Sequence, residues 1–436
     1  MKHTLIIGWL CLAAVAGSPA TAGAGHPPAR DSLAYTAIRG TVRDAATRHP
    51  LPRVAVYLEN ADIATVSNAE GLFILKIPDG ATPATVVVSH LGYKKEYIPV
   101  TDDNRTEHWA VALKPISYPL RDVVVRPAGD ATELFLQALE RIPDNYGRRP
   151  LAMVAFYREF VKRNSAYVSV AEAVLDIRKA PCHVRQPDAA RLYKGRKSAD
   201  VRRSDTVLFK YQGGIVAALQ LDAAKNADIL FTASPQENYT FTFDELAMID
   251  EKPHYVIAFN QRPTVRDILF RGKIYIEPLS LAIARIDFSM NVENRPDAAY
   301  IFVKRSPRGS KITPVYAHYT VSYREHNGHW RYAYARAEVK FKSNFKKFLF
   351  FRPTCTVVSE LAVTDVDETD VFQIARKETV TANDIVADRL SIFTGDAFWD
   401  AYNYIEPEQP IENAIRRMNR QLKRKERQMQ EVMNNE

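Results

Sequence analysis

Cysteine is scarce in this chain: three residues in 436, one of which, Cys11, lies in the leading apolar run. A disulfide-dense scaffold is therefore excluded. Cys182 and Cys355 are left as a candidate disulfide, and two separate thiols are the plainer alternative. None of the ten histidines begins an H-x-x-E, and H-E-x-x-H is absent, so no zinc-hydrolase motif is present. A G-x-S-x-G elbow, a P-loop and a dinucleotide fingerprint are missing as well. No cofactor and no metal are implied. The longest apolar run, Thr4–Ala16, falls short of the roughly 20 residues that span a bilayer as a helix. No repeat supports a solenoid.

What is present describes a folded chain. Hydrophobic residues make up 46% and charged residues 25%, and 436 residues suffice for two or three domains. Lys2 and His3 precede the apolar run, and Ala20-Thr21-Ala22 fits a small-residue cleavage site. The pattern predicts a signal peptide over 1–22, a linker over 23–36 and an exported protein, in the periplasm or associated with the outer membrane, or at the cell surface.

From Ala37 the period is two. Val54, Val56 and Leu58 alternate with Ala55 and Tyr57; Phe73, Leu75 and Ile77 form a second run, and Val86 and Val88 a third. Turn signals such as Pro78-Asp79-Gly80 separate them. Short alternating strands at this spacing predict an antiparallel sandwich of about seven strands over 37–126. The segments Gly40–Asp44, Pro50–Val56, Thr65–Phe73 and Ser89–Tyr93 resemble the carboxypeptidase-regulatory-like domain, a transthyretin-like β-sandwich. That resemblance implies a non-catalytic module of exported and outer-membrane proteins, and it covers about a fifth of the chain. The strand-like end Leu120–Val125 also resembles the module ahead of the plug in starch-utilisation-type transporters, but no plug-like segment follows.

The remainder reads as one larger α+β unit over 127–405 and a charged C-terminal helix over 406–436. Asp130-Ala-Thr-Glu133 is a capping-box start, with Leu134, Phe135, Ala138, Leu139 and Ile142 on one helical face. Strand-like alternation follows at Met153–Arg163 and Ala166–Leu175, and again from Tyr239 to Met290. Together with the helix, FYREF and AEAVLDI resemble a family of exported Bacteroidota-type proteins with no assigned activity. The stretch Phe270–Pro278 followed by Ala282–Phe288 is similar to the half-barrel of lipoprotein carriers. The expected class is mainly β with some α: a seven-stranded sandwich, then a larger curved, half-barrel-like antiparallel sheet with a packed helix.

Charge is concentrated. Residues 178–203 hold nine Lys/Arg against two Asp, which accounts for most of the formal +8. This predicts a basic loop over 178–205, either a solvated connection or a docking loop for anionic lipid, glycan or an acidic envelope partner through Arg191, Lys194, Arg196, Lys197, Arg202 and Arg203. Nucleic acid is excluded as a partner because no recognition motif accompanies the charge in an exported chain. A hairpin turning at Asn327-Gly328 carries Trp330, Tyr332 and Tyr334, read as one aromatic face that is either packed core or ligand-facing. Phe398–Tyr404 is expected to tuck onto the sheet, and Ile411, Ile415, Met418 and Leu422 to form the apolar side of the last helix. The resulting expectation is a non-enzymatic envelope protein that binds or scaffolds at the outer membrane. The alternatives are a periplasmic carrier or sensor of an apolar ligand held in the second sheet, and a hydrolase without a recognisable motif.

Overall fold

Gly40 lies where β1 (Tyr35–Asp44) crosses the ring of Phe73, and a Cβ there would come within 2.5 Å of that ring. That close crossing is why the first motif begins with glycine. The structure, a computed structural model, describes residues 34–81, 84–116, 129–199, 210–211, 214–305, 310–345, 354–392 and 398–434. The expected signal peptide lies outside these residues, as do most of the linker, Leu120–Val125, Arg202 and Arg203. Tyr35 and Thr36, expected in the linker, belong to β1.

The alternating segments form β2 (Ala55–Leu58), β3 (Ala64–Val66), β4 (Leu72–Pro78), β5 (Thr85–Ser89), β6 (Glu96–Pro99) and β7 (His108–Leu113). They pair as two sheets, β4-β1-β7 and β3-β2-β5-β6. Between them Val54, Val56, Leu58, Phe73, Leu75, Ile77, Val86 and Val88 are buried in one core, as the alternation predicts. Each such side chain contributes about 1.5–3 kcal/mol of transfer free energy. The motif polar residues hold the turns. Asp44 accepts from the amides of Ala46 and Thr47 and from the Tyr93 hydroxyl at 2.8, 2.7 and 2.7 Å. The bonds from Thr47 and Tyr93 hold its carboxyl down to about 2.

Helices α1 (Ala131–Glu140) and α2 (Ile142–Asn145) follow. The Asp130 carboxylate caps α1 by accepting from the Glu133 amide at 2.8 Å. Then come β8 (Leu151–Arg163), β9 (Ala166–Lys179), β10 (Ala189–Ala199) and the short β11 (Lys210–Tyr211). After α3 (Gly214–Gln220), α4 (Ala227–Leu230) and α5 (Pro235–Asn238) the meander resumes. It runs through β12 (Tyr239–Phe243), β13 (Ala247–Ile249), β14 (Lys252–Gln261), β15 (Phe270–Ile276) and β16 (Ile283–Met290). Next are α6 (Ala299–Phe302), β17 (Val303–Arg305), β18 (Ser310–His326), β19 (His329–Phe345), β20 (Thr354–Asp367), β21 (Ser391–Ile392) and α7 (Gln409–Asn434).

These strands build one large sheet in the order β12-β14-β15-β16-β18-β19-β20-β8-β9-β10-β21, open rather than closed into a barrel. All its pairs are antiparallel except the two-residue contact of β21 with β10. Asn327 and Gly328, both with positive φ (52° and 76°), make the β18–β19 turn.

The sheet is covered on both faces. On one face α1, α3 and the Phe135, Phe231, Phe241 and Phe259 rings close over Met153, Ala155, Tyr157, Leu175 and Ile177. On the other, Phe156, Val174 and Ala362 meet Trp399, Tyr402 and Ile405, with Val66 of the sandwich in the same cluster. The first half of α7 lays Ile411, Ile415 and Met418 over Phe160, Val170 and Val358. Phe398–Glu408 is thus a strap between sandwich and sheet. Its Asn403 side chain pairs with both backbone groups of Lys76 on the edge strand β4, at 2.6 and 3.1 Å.

Under the strap lies a buried ion cluster. Arg158 is fully buried and pairs with Glu172 at 2.7 Å; Arg196 pairs with the other carboxylate oxygen at 2.6 Å. Arg158 also donates to the Ile405 carbonyl. Burial alone would raise the Glu172 carboxyl, but Arg196 and Arg158 outweigh it and hold it below the ordinary range.

Replacing Glu172 with Leu leaves two guanidiniums in this layer without their carboxylate. The Glu172→Leu chain should lose about 3–5 kcal/mol of unfolding free energy in urea, and a loss under about 1 kcal/mol would contradict this account. Because the native carboxyl is depressed, its contribution is complete above the unfolded value of about 4.3 and disappears as the pH falls through the lower native value. Acid titration of wild type should show this loss below about pH 4, and the variant should not.

Candidate functional site

Where the large sheet ends at β10, the helices on its face leave a cleft of about 670 Å³. That is within the roughly 300–1,000 Å³ of small-molecule pockets. Its walls come from the α1–α2 junction (Leu139, Ile142), from α3 (Val216, Leu219) and from α4 (Ala227, Ile229). The opposite rim is the 182–188 loop between β9 and β10. Ile229 is 53% exposed at the mouth, beside the exposed His183 and Arg185.

A buried charge cluster behind this rim fixes it. Lys179, 7% exposed, pairs with Asp188 at 2.7 Å and with Asp222 at 2.5 Å. Asp222 also accepts from the Tyr323 hydroxyl at 2.8 Å and the Ala224 amide at 3.2 Å. Burial would lower the Lys179 ammonium, but the two carboxylates reverse that and raise it, so it stays charged. The Lys225 ammonium donates to the carbonyls of Pro181 and Val184 at 2.9 and 3.1 Å, tying the loop to the helical side. Cys182 lies in the same rim, its thiol pushed up to about 12 by burial and then by Asp222. A thiol this weakly acidic is not a poised nucleophile. Among the described residues no group of three His, Cys, Asp or Glu could hold a metal ion. The cleft thus has apolar helical walls, a fixed polar rim and an open mouth.

The residues singled out from sequence are placed differently. Cys182 and Cys355 form no disulfide. Cys355 pairs with Arg163 at the far end of β8, and Lys179, just before Cys182, pairs with Leu151 at its start. Twelve residues of strand put the two ends roughly 40 Å apart, far beyond disulfide reach.

The basic loop is also corrected. Ala189–Ala199 is a strand, because each of its charged side chains meets a carboxylate or carbonyl brought from elsewhere. Arg191 pairs with Asp176 at 2.8 Å and Glu378 at 3.3 Å, Lys194 with Asp400 and Arg196 with Glu172, while Lys197 donates to the Ala387 carbonyl at 2.6 Å. The exposed cations instead include Arg416, Arg417, Arg420, Lys423, Arg424 and Arg427 on α7.

Trp330, Tyr332 and Tyr334 do not share a face. A bulge at Ala333, where Ser322 and Tyr323 pair with Tyr334 and Tyr332, reverses the alternation. Trp330 and Tyr332 enter the helix-covered core, where the Tyr332 hydroxyl donates to the Ala218 carbonyl. Tyr334 is buried on the opposite face and donates to Glu360 at 2.8 Å. All three are buried.

The sandwich matches the model of a known family over residues 38–125, described as the CarboxypepD_reg-like domain. Residues 38–125 are a carboxypeptidase-regulatory-like domain. No curated protein matches the chain. Among solved structures, a domain described as outer membrane lipoprotein-sorting from Vibrio parahaemolyticus is 11% identical, covering 59% of this chain and 98% of its own at a TM-score of 0.24. A LolA superfamily protein from Nitrosomonas europaea is 13% identical over 58% of this chain and 99% of its own, at 0.22. A DUF1329 family protein from Desulfovibrio piger is 9% identical over 56% and 96%, at 0.26. At such TM-scores nothing about ligand or partner follows for this chain. No described helix is long and apolar enough to cross a membrane. The regulatory-like domain contributes no residue to the cleft, whose lining comes wholly from the larger sheet and its helices.

Denatured without reductant, the chain should take up two alkyl groups at Cys182 and Cys355, and the folded chain should label Cys182 at least about 100-fold more slowly than a free cysteine near pH 8. Rapid labelling of the folded chain would contradict a buried, protonated thiol.

Proposed function

We propose that this chain is an exported binding protein that carries an amphipathic ligand in the cleft between the β9–β10 rim and helices α1 to α4. The observation that carries the reading is the cleft itself, about 670 Å³ with Leu139, Ile142, Val216, Leu219 and Ile229 along its apolar walls. An apolar chain laid there leaves water, at about 0.8 kcal/mol per buried methylene, while its polar end remains at the open mouth. The Lys179–Asp188–Asp222 cluster behind the rim holds Asp188 in place, so the rim needs little reorganisation to accept a ligand. The ligand does not lie against the middle of the sheet, because helices and aromatic rings already fill that face. The regulatory-like domain, the strap and α7 cover the other face. The exposed cations of α7 favour a second contact, with an anionic surface or acidic partner of the envelope.

A fluorescent fatty acid tests the first part. Wild type should bind it, and Val216→Trp, which fills the cleft from α3, should bind at least about tenfold more weakly with unchanged far-UV circular dichroism. Native mass spectrometry of the chain released gently from its own envelope should show a bound lipid-sized mass. Equal binding by the two proteins, with no co-purifying mass, would overturn the cleft reading. Export is tested separately: the mature chain should begin at Gly23, and an intact Met1 in the purified envelope protein would overturn it.

A further inference from the structure

The regulatory-like domain and the large sheet do not meet in uninterrupted contact. Between them lies a separate cavity of about 100 Å³, far from the β9–β10 cleft in the fold and sharing no essential residue with it. Its walls bring Arg53, Ser89 and His90 from the sandwich side against Arg285, Ser322 and Arg324 from the sheet. At about 30 Å³ per water this space holds roughly three, or one small polyatomic ion.

Three arginines stand in a lining that is otherwise largely apolar or neutral, and one of them, Arg324, makes no side-chain hydrogen bond among the described residues. The Arg324 side chain is only 14% exposed. Its charge contacts are Asp62 at 3.6 Å and the Tyr57 ring at 5.1 Å, and neither is a hydrogen bond. A guanidinium carries five N–H donors, and leaving them unmet away from bulk water is costly. Arg285 is anchored from behind by both oxygens of Asp287, at 2.6 and 2.9 Å through Nε and Nη2, which leaves its Nη1 group. Arg53 is exposed at the edge of the sandwich, with its backbone in the left-handed region at φ 58°. Asp250 is the one carboxylate of the lining, and it is engaged by Lys95 at 3.4 Å and by the Ser89 hydroxyl.

We propose that this interdomain cavity is a binding site for one small free oxyanion, of phosphate or carboxylate size, that accepts from Arg324 and bridges the sandwich to the sheet. The Ser322 hydroxyl and the Arg285 Nη1 group stand in the same wall as further donors, and Arg53 closes the site from the sandwich. The electrostatics agree: burial, then Arg285 and Arg53, push the His90 imidazole down to about 4, as expected beside a cavity of positive potential. An anion here is shielded from solvent and salt more than one at the surface. Because the two walls belong to different parts of the fold, occupancy strengthens the docking of the regulatory-like domain onto the sheet. This site is independent of the cleft, and its failure would leave the proposed carrier reading untouched.

Thermal unfolding of the full chain tests it, with chloride replaced by inorganic phosphate or by acetate at constant ionic strength. Phosphate or acetate should raise the midpoint by about 2–4 °C over chloride, and the anion that does so identifies the class. The exposed Arg53→Gln should lose at least half of that rise while keeping the wild-type midpoint in chloride within about 1 °C. Arg324→Gln should lose all of it. Should Arg324→Gln fail to fold, the His90 ring resonances of the wild type give a second reading, and they should shift saturably with the same anion. Equal midpoints in all three salts with unmoved His90 resonances mean that only water fills the cavity, and that result overturns the proposal.

Discussion

A guanidinium with no access to water must be matched from every side, and Arg158 is matched by pieces from three parts of the chain. Glu172 of β9 supplies the carboxylate, Arg196 of β10 shares it, and the Ile405 and Glu406 carbonyls of the strap accept from Nη2 and Nη1. None of these partners is useful alone. A single Arg–Glu pair in this layer would carry an unanswered desolvation cost, and the strap would have no polar reason to run where it does. With the cluster assembled, the strap is fixed on the sheet. Asn403 and the Asn68 amide, which donates to the Glu406 carbonyl at 3.0 Å, can then hold the sandwich against it. The position of the regulatory-like domain follows from one buried charge.

A long open sheet has two apolar faces to cover, and this chain covers them with different material. Helices and a cluster of phenylalanines close one face; the strap, the sandwich and α7 close the other. Because both middles are filled, room for a ligand survives only at the edges of these covers. The cleft beside β10 is one such edge, where α1 to α4 stop short of the β9–β10 loop. The interdomain cavity is another, where a sandwich with its own curvature meets a twisted sheet. The cleft draws its walls from helix faces, whereas the cavity sets three arginines, Arg53, Arg285 and Arg324, in a mixed lining.

The parts of the fold legible in the sequence are those whose cause is local. Alternation in Val54–Leu58 and Phe73–Ile77, the Asp130 cap, and the Asn327-Gly328 turn each act over a few residues, and each appears where its signal stands. The aromatic tuck at Phe398–Tyr404 was legible as an apolar cluster, but its grip on Lys76, more than 300 residues away, was not. The cleft had no signal of its own: Leu139, Val216 and Ile229 read as ordinary helix faces, and only the packing of three helices against one loop brings them together. A single inserted residue, Ala333, is enough to send Tyr334 to the face opposite Tyr332, and nothing local in Arg331–Arg336 announces a bulge.

The basic run from Arg178 to Arg203 shows why net charge is a poor guide to a binding surface. Counted along the chain it is an excess of cations; counted in space, Arg191, Lys194 and Arg196 answer carboxylates from β9, from the strap and from the segment that follows β20. Lys179 goes further inward, where it pairs with Asp222 and anchors Asp188 of the cleft rim. The charges that make β10 look like a docking loop are therefore among those that hold it as a strand, since Arg196 and Arg191 neutralise Glu172 and Asp176 of the neighbouring strand. The surface cations lie instead on α7, whose apolar side rests on the sheet and whose outward side has no carboxylates in comparable number. In this chain a run of positive charge specifies internal order, and the helix that carries surface charge is the one whose sequence looked like a tail.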